Sequence, residues 1–497
     1  MNPRLLIAAL AAMVALIAGC GGSSSSGSDL AGLAPPGTPV FVEGTLRPEG
    51  ELKSNVDAIA KQVAGVDNLG DLIVEELEDE AESEGEPLDF AKEVEPWLGE
   101  RGAVFFERLE GEDFTGTGVI VESTDSEAAQ EFIDRHDEGK QGRAVGLVGD
   151  FLVVAEDRKL FEEVEAASEG DALAGEDTFA KAISAASDGS LADVYVDVGK
   201  LIDQNGGKID PTARQVLQNA GIDPSEATAV ASVIPGSEQI AVELSSDLGG
   251  QEAPSGDASD LLGELPGNAF AGFAISGFGD QLKEAIDSLD AEGIPDTVPP
   301  NQLKKGLKQL GIDLEGVSGS LQDAAVFASG ANQSSLGGAL VLSTEGSEAT
   351  KMVANIGKLL RQVHVSGVTA LSGKYSGFSI RSDELGSKPL VVAAKQGRLV
   401  VGYGLQQTLN GLVSDSAGSK TLSDLPVYED AVASLGDTPI GGFADGPAAL
   451  HLADSLIPNS DKGFKKAKKY LKSIDFLALG SASQGELATA KLIVGLK

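Results

Sequence analysis

The side chains best suited to acid–base or metal chemistry are dispersed along the chain. The three histidines are His136, His364 and His451, and no two of them have the close spacing of zinc ligands on one helix. His136 ends a helical pattern just before two acidic residues, which predicts a solvated histidine, and the other two are expected at exposed edges of strands or helices. We therefore predict no metal site.

Serine, glycine-rich and carboxylate motifs give no firmer signal. The stretch from Gly316 to Ser320 lacks the final glycine of the nucleophile elbow Gly-x-Ser-x-Gly, and no Walker loop, dinucleotide-binding glycine motif or EF-hand is present. Glycoside hydrolysis needs two facing carboxylates, but the chain has 77 acidic residues and the sequence selects no pair. The sequence predicts no catalytic residue and no cofactor.

Two further features have both a functional and a structural interpretation. The acidic run from Glu75 to Glu86 would attract divalent cations through carboxylate oxygens, but a solvated helix end and loop is the favoured interpretation. Trp97 is the only tryptophan. It would suit stacking on a ligand, but we expect it to fill core space beneath a turn.

Cys20 is the only cysteine, and the residues before it describe an export signal. Arg4 supplies a positive charge, and an apolar run of about thirteen residues follows, with small residues leading to the cysteine. The run is too short to span a bilayer, which needs about twenty apolar residues. Residues 1–19 are thus predicted to be a signal peptide.

The sequence Ile17-Ala18-Gly19-Cys20 resembles the bacterial lipobox. The resemblance implies a diacylglyceryl thioether on Cys20, cleavage between Gly19 and Cys20, and often acylation of the new amino terminus. It also implies a protein exported and held by lipid on the outer face of the cytoplasmic membrane or in the cell envelope. An ordinary secretory signal with an incidental cysteine is the alternative. Because no other cysteine exists, the exported part must be stabilised by its core.

The composition indicates an acidic, folded protein. The net charge is −40, and 42% of the residues are hydrophobic. Nucleic-acid binding requires a basic surface that replaces counterions, so we expect no nucleic-acid partner. The hydrophobic content argues against a disordered acidic tail.

One order of predicted elements occurs twice, at a spacing of about 220 to 250 residues. Each copy begins with a strand after Pro-Gly, at Pro36 and Pro266, and continues with an amphipathic helix, strands, a strand–helix unit and a hairpin. Residues 229–244 and 477–496 form the closing hairpin patterns.

The repeat predicts an α+β protein of two tandem repeated domains. Each domain is expected to be a mainly antiparallel sheet with helices packed on one face. The predicted organisation is a signal peptide at 1–19, a Ser/Gly/Pro tether at 20–35, a first repeat at 36–247, a linker at 248–262 and a second repeat at 263–497.

Several motifs resemble bacterial proteins grouped as domain-of-unknown-function family 3352 (DUF3352). They are the Pro-rich start with its alternating strand, PWLG at Pro96 to Gly99, the strand–helix units and VYVDVGKLI at Val194 to Ile202. The resemblance extends over nearly all of the mature chain. It implies an envelope protein and brings no established activity or catalytic residue.

Residues 460–474 combine an apolar stripe with six lysines. The spacing of the apolar residues predicts an amphipathic helix. The helix would either lie on an anionic membrane surface, or pack its apolar stripe into the second domain with its lysines in the field of the acidic first domain. The second interpretation is favoured, because the stripe is narrow and begins with one aromatic residue, Phe464.

Together these features predict a lipid-anchored bacterial cell-envelope protein with a non-catalytic role in binding a ligand or a partner. The expected partners are the membrane, through the anchor on Cys20, and an apolar ligand or an envelope protein. Two alternatives remain open: an exported hydrolytic enzyme, and a structural or adhesive surface protein.

Overall fold

The computed structural model describes most of the chain. The described residues are 29–83, 88–110, 113–136, 142–204, 227–247, 256–292, 299, 301–309, 314–362, 364–371, 375–395, 397–412, 420–458, 460–484 and 487–497. The predicted signal peptide, its cleavage site at Gly19 and the lipidation site Cys20 lie outside the described residues.

Strands and helices alternate along the described part of the chain. The strands are β1 (Val40–Thr45), β2 (Leu98–Glu110), β3 (Asp113–Ser123), β4 (Ala144–Val148), β5 (Phe151–Ala155), β6 (Ala192–Asp197), β7 (Thr228–Pro235), β8 (Gln239–Asp247), β9 (Ala269–Ile275), β10 (Leu321–Ser329), β11 (Gly337–Thr344), β12 (Val368–Ala370), β13 (Ser376–Ile380), β14 (Leu390–Lys395), β15 (Arg398–Tyr403), β16 (Ile440–Asp445), β17 (Ile474–Gln484) and β18 (Leu487–Leu496). The helices are α1 (Gly50–Val63), α2 (Leu69–Ser83), α3 (Phe90–Glu93), α4 (Ser126–His136), α5 (Arg158–Glu169), α6 (Asp177–Ile183), α7 (Val198–Gln204), α8 (Ser259–Gly263), α9 (Phe278–Glu292), α10 (Leu303–Gln309), α11 (Leu314–Ser318), α12 (Glu348–Gln362), α13 (Leu405–Leu412), α14 (Pro426–Leu435), α15 (Gly446–Leu456) and α16 (Lys462–Leu471). Short 3₁₀ segments occur at Leu173–Gly175, Asp383–Leu385 and Leu422–Asp424.

The strands belong to one 18-stranded sheet in which the described pairings are antiparallel. Helices and antiparallel strands in one chain confirm the predicted α+β class. The finer prediction, two tandem domains that each have a sheet of their own, is not confirmed, because the strands of both predicted repeats are assigned to a single sheet.

The chain divides into two compact units. Unit 1 comprises residues 1–254, 483–492 and 496–497. Its strands are paired in the order β4-β5-β3-β2-β1-β6-β7-β8, and β18 pairs with β8. Most of the C-terminal strand therefore belongs to unit 1, although the sequence placed it in the second repeat.

Unit 2 comprises residues 255–482 and 493–495. Its strands are paired in the order β14-β15-β11-β10-β9-β16-β17. Strand β13 adds next to β14, and β12 adds next to β13. Apart from these two strands, the order follows the order in unit 1.

Helices pack on both faces of the sheet in unit 1, so the predicted packing on one face is wrong. Successive residues of a strand point to opposite faces. Phe105 of β2 lies in a buried cluster with residues of α5 and α6, whereas its neighbour Val104 lies in a different cluster with residues of α2 and α4. The physical reason is visible in strands such as β2 and β3, which are apolar at consecutive positions and so bury both faces.

Unit 2 repeats this two-faced packing. Leu342 of β11 lies in a cluster with Met352 and Val353 of α12. Its neighbour Val341 points the other way, where a Cβ built on Gly411 of α13 would lie 3.2 Å from its side chain. Gly411 thus allows α13 to approach the sheet closely.

Two predicted connecting segments contain core residues. Within the predicted tether, Leu30, Ala31, Leu33 and Ala34 are at most 5% exposed and pack in the cluster of α5 and α6. Residues 30–34 are therefore part of the core, and the prediction of a tether is wrong for them. At the end of the predicted linker, helix α8 buries Leu262 completely.

Candidate functional site

A polar cleft with a volume of about 600 Å³ lies in unit 1. We call it the arginine cleft. Its lining residues come from the end of β1 and the turn after it, the first turns of α1, the β2 strand, the loop before β6 and the end of β7. They are Thr45, Arg47, Pro48, Glu49, Glu51, Leu52, Asn55, Glu100, Arg101, Asp188, Gly189, Ile234 and Pro235.

Local backbone structure builds the cleft. The backbone N–H groups of Leu46 and Arg47 both donate to the carbonyl oxygen of Glu100. The chain then turns at Gly50, whose positive φ of 59° suits glycine, and enters α1. On this helix Asn55 donates from Nδ2 to the carbonyl oxygen of Pro235 at 3.1 Å. These bonds hold the walls of the cleft in place.

The two arginines of the cleft are held differently. Arg47 donates from Nη1 to the carbonyl oxygen of Leu98 at 2.9 Å and from Nη2 to Glu95 at 3.3 Å. Arg101, which is 21% exposed, lies within 4.0 Å of three carboxylates. They belong to Asp29, Glu43 and Glu122.

The lining carries more negative than positive charge. Four carboxylates, those of Glu49, Glu51, Glu100 and Asp188, line the cleft beside the two guanidinium groups. Small-molecule sites have volumes of about 300–1,000 Å³, so the cleft is large enough for one. The lining also contains apolar residues such as Leu52 and Ile234, and its charged groups favour a ligand with a cationic group.

A second concave region of about 220 Å³ in unit 1 contains a pair of carboxyl groups. Glu107 is on β2, and Glu163 is on α5. Lys159, one turn before Glu163 on α5, donates to Glu163 Oε1 at 2.7 Å. Burial raises the pKa of Glu107 to about 7, and its hydrogen bond with Glu163 and the negative charge there add to the rise. The hydrogen bond from Lys159 holds the pKa of Glu163 below its usual range.

The geometry of the Glu107–Glu163 pair agrees with this titration. Glu163 Oε2 is buried and has no hydrogen-bond donor among the described residues when both carboxyl groups are ionised. A proton on Glu107 would supply that donor. Retention of one proton by the pair near neutral pH is the behaviour expected when two carboxylates occupy one site.

The pair can hold and release a proton, but its spacing limits its chemistry. Glycosidase carboxyl groups are separated by about 5 to 9.5 Å so that substrate or water fits between them. Glu107 and Glu163 are instead hydrogen-bonded to each other. The sequence did not select this pair; the one available signal was an ionisable residue, Glu107, that directly follows the apolar run of β2.

Trp97 is confirmed as a core residue. It is 1% exposed, packs against Phe132 at a ring distance of 5.4 Å, and donates from Nε1 to the carbonyl oxygen of Glu93 at 2.7 Å.

The prediction that His136 is solvated is wrong. Its side chain is 19% exposed, and its Nε2 lies 2.7 Å from Glu93 Oε2. The ring also contacts Phe132, at a distance of 4.6 Å. Burial opposes ionisation of Glu93, but the hydrogen bond to His136 and the nearby charge of Arg135 outweigh it and hold the pKa of Glu93 below its usual range. The partly buried position of His136 thus depends on the contact between Glu93 of α3 and His136 of α4, which are distant in the sequence.

The remaining predicted features lie apart from the arginine cleft. His364 and His451 are exposed, as predicted. The part of the acidic run up to residue 83 belongs to α2, and residues 84–86 lie outside the described residues. Among the residues that the structure describes, no three His, Cys, Asp or Glu side chains converge to hold a metal ion. Within the same residues, no helix is both long and apolar enough to cross a membrane.

The favoured interpretation of residues 460–474, in which the apolar stripe packs into the second domain, is also wrong for the helical part of this segment. The segment forms α16, as predicted, but no residue of this helix is buried. Leu471, which was expected to pack into the second domain, is 36% exposed.

Comparison with known proteins gives one family. Residues 133–374, just under half of the chain, match DUF3352, described as a protein of unknown function. No curated protein matches the chain. No solved structure matches it. The matched segment contains the motif from Val194 to Ile202 but not Pro96 to Gly99, so it is narrower than the expected resemblance. Over residues 133–374 the chain is similar to DUF3352, and the match supports the family that its motifs indicated.

Proposed function

We propose that the protein is a lipid-anchored bacterial cell-envelope protein in which unit 1 binds a polar ligand, or a polar segment of a protein partner, without catalysing a reaction. The observation that carries the proposal is the arginine cleft, a preformed concave site of about 600 Å³. Its excess of carboxylates favours a ligand with a cationic group, because opposite charges attract across a partly desolvated site.

The lining supports binding rather than catalysis. Arg47 and Arg101 are engaged by neighbouring carboxylates or carbonyl groups. Among the described lining residues there is no serine, cysteine or histidine, so a hydroxyl or thiol nucleophile paired with a histidine base is not present there. These contacts hold the two arginines in place at the cleft.

The anchor rests on the sequence. A charged start, a short apolar run and small residues lead directly to Cys20. Acylation at this cysteine would retain the protein at the outer face of the cytoplasmic membrane or elsewhere in the envelope. Stable retention needs two or more lipid chains, since one chain binds membranes only marginally.

We also infer that units 1 and 2 arose by tandem duplication and that the chain consists of two repeated domains. The support is the shared strand order, in which β4, β5, β3, β2, β1, β6 and β7 correspond to β14, β15, β11, β10, β9, β16 and β17. Duplication explains why the same predicted elements recur along the chain.

The binding proposal is tested by blocking the cleft. Glu51→Trp places a bulky side chain on an exposed lining position of α1. Ser54→Trp is the matched control, because Ser54 is exposed on the same helix and is not a lining residue. Native mass spectrometry of full-length protein, purified from bacterial membranes, should show a bound small molecule or partner in wild type and in the control, but not in Glu51→Trp. Equal occupancy in both variants would contradict the proposal.

An exported hydrolase is the second candidate, and the Glu107–Glu163 pair is the observation in its favour. A carboxyl group with a pKa of about 7 is suited to general acid–base catalysis at neutral pH. A panel of ester substrates provides the test. Hydrolysis that Glu107→Gln abolishes, while folding is retained, would favour this candidate over the binding role.

A further inference from the structure

Helix α16 is an exposed, strongly basic helix. Asp461 caps its start, where Oδ1 accepts the backbone N–H of Phe464 at 2.7 Å. None of its ten residues is buried. The exposed surface of α16 is therefore available to a partner outside the chain.

The positive charge of α16 is largely uncompensated. Six lysines and no acidic residue occur between positions 462 and 472. Among the described residues, the ion pair of this cluster is the one from Lys468 to Asp454 of α15, at 2.5 Å. Lys469 lies 5.7 Å from the ring centre of Tyr470. The other cluster members are Lys462, Lys465, Lys466 and Lys472.

Exposed apolar side chains accompany the lysines. Tyr470 is 40% exposed and Leu471 is 36% exposed, both at the C-terminal end of α16. Leu456, at the end of the contacting helix α15, is 43% exposed. Tyrosine is enriched at membrane–water interfaces, where its apolar ring and hydroxyl meet both environments.

We infer that α16 is a membrane-surface helix that binds the anionic headgroups of phospholipids. The charge complementarity between its lysines and lipid phosphates identifies the occupant, and the tyrosine and leucine supply the shallow apolar contact of an interfacial helix. The narrow apolar stripe limits insertion, so binding depends mainly on charge.

The high net negative charge of the chain does not cancel this attraction. At physiological ionic strength, charges separated by more than about 8 Å are largely screened. Asp461, which is next to the lysines in sequence, accepts a hydrogen bond at the start of α16. Asp454, which is next to them in space, forms an ion pair with Lys468. The lysines therefore dominate the field at their own surface.

The test uses the chain from residue 21 onward, which keeps every described residue and lacks Cys20. It is mixed at physiological ionic strength with phosphatidylglycerol vesicles and, separately, with phosphatidylcholine vesicles, and the bound fraction is measured by sedimentation. We expect binding to phosphatidylglycerol alone, with a loss as salt rises. Equal binding to both vesicles would overturn the inference.

The decisive variant replaces Lys462, Lys465, Lys466 and Lys469 with glutamine and leaves Lys468 in its ion pair. Each lysine near an anionic surface contributes roughly a fivefold change in partitioning, so the loss of four lysines should weaken binding about 600-fold. The matched control replaces four exposed lysines of unit 2 with glutamine and has the same net charge. These are Lys305, Lys308, Lys351 and Lys358.

The control variant should bind like wild type. If both four-lysine variants lose binding equally, the effect belongs to net charge and the inference fails. Leu471→Gln keeps every lysine and should weaken binding by a few-fold. Circular dichroism verifies that each variant remains folded.

A second copy of the chain is the competing occupant of the α16 surface. Analytical ultracentrifugation of wild type tests it: a dimer that disappears in the Lys462/465/466/469 variant, together with no vesicle binding, would overturn the inference. Glu51→Trp blocks the arginine cleft and should leave vesicle binding unchanged, so failure of the proposed function and failure of this inference are distinguishable.

Discussion

Replacing Glu107 with glutamine should stabilise unit 1 at alkaline pH and have little effect at acidic pH. Glutamine keeps the shape of the side chain and can donate a hydrogen bond to Glu163, so it mimics the protonated carboxyl group. Wild type must instead ionise Glu107 in a partly buried site as pH rises, which is unfavourable.

The magnitude follows from the pKa of Glu107, which is about 7 in the folded chain and has an ordinary value of 4.5. The full difference corresponds to about 3 kcal/mol. The Glu107 side chain is 19% exposed, and solvent screens part of the penalty, so we expect about 1–2 kcal/mol.

The sign of the pH dependence is determined by proton binding. Between pH 4.5 and about 7 the folded chain retains a proton that the unfolded chain releases. The free energy of unfolding of wild type therefore decreases as pH rises through this window. The stability advantage of Glu107→Gln should be near zero at pH 4, grow across the window and be complete above pH 7.

Urea unfolding, followed by tryptophan fluorescence, measures this effect. Trp97 is the only tryptophan and is buried in unit 1, so its emission reports on that unit. Glu131→Gln is the matched control, because Glu131 is an exposed glutamate on α4. A stability difference that is the same at all pH values, or a destabilised Glu107→Gln at pH 8, would refute the reasoning.

Three further predictions concern other parts of the chain. Cys20→Ser should move the protein from the membrane to the soluble fraction or stall its processing, as measured by fractionation and immunoblotting; full membrane retention of a processed variant would contradict lipid anchoring. Leu262→Ala should destabilise unit 2 by about 2–5 kcal/mol, because the side chain of Leu262 is completely buried in α8; a change below 1 kcal/mol in thermal unfolding would show that this end of the predicted linker is not core. His136→Gln should reduce the stability that Glu93 contributes above pH 4.5 and loses as pH falls through its lowered pKa; a wild-type acid unfolding profile in this variant would contradict the role of the His136–Glu93 contact.

Local structure could be predicted from the sequence. The predicted hairpin between residues 145 and 154 forms as β4 and β5, with Gly149 at a φ of 60° in the turn. The helices that follow the strands also appear where apolar residues recur with helical spacing. Such elements depend on neighbouring residues, so their pattern is present in short stretches of sequence.

The environment of each element depended on the tertiary structure. Consecutive apolar residues in β2 indicate two buried faces, but which helices cover each face depends on contacts between distant segments. In contrast, α16 has the amphipathic pattern of a packed helix, yet none of its residues is buried.

The sequence by itself determined the acidic composition, and it predicted an export signal before Cys20 and the recurring order of strands and helices. The tertiary structure decided that Glu107 and Glu163, which are 56 positions apart in the sequence, lie in one concave region, where burial raises the pKa of Glu107. It likewise decided that His136 contacts Glu93 and that the arginine cleft combines residues from β1 to β7. The physical reason is that periodicity specifies which side of an element is apolar, whereas pKa values, clefts and ion pairs arise from contacts between elements that are distant in the chain.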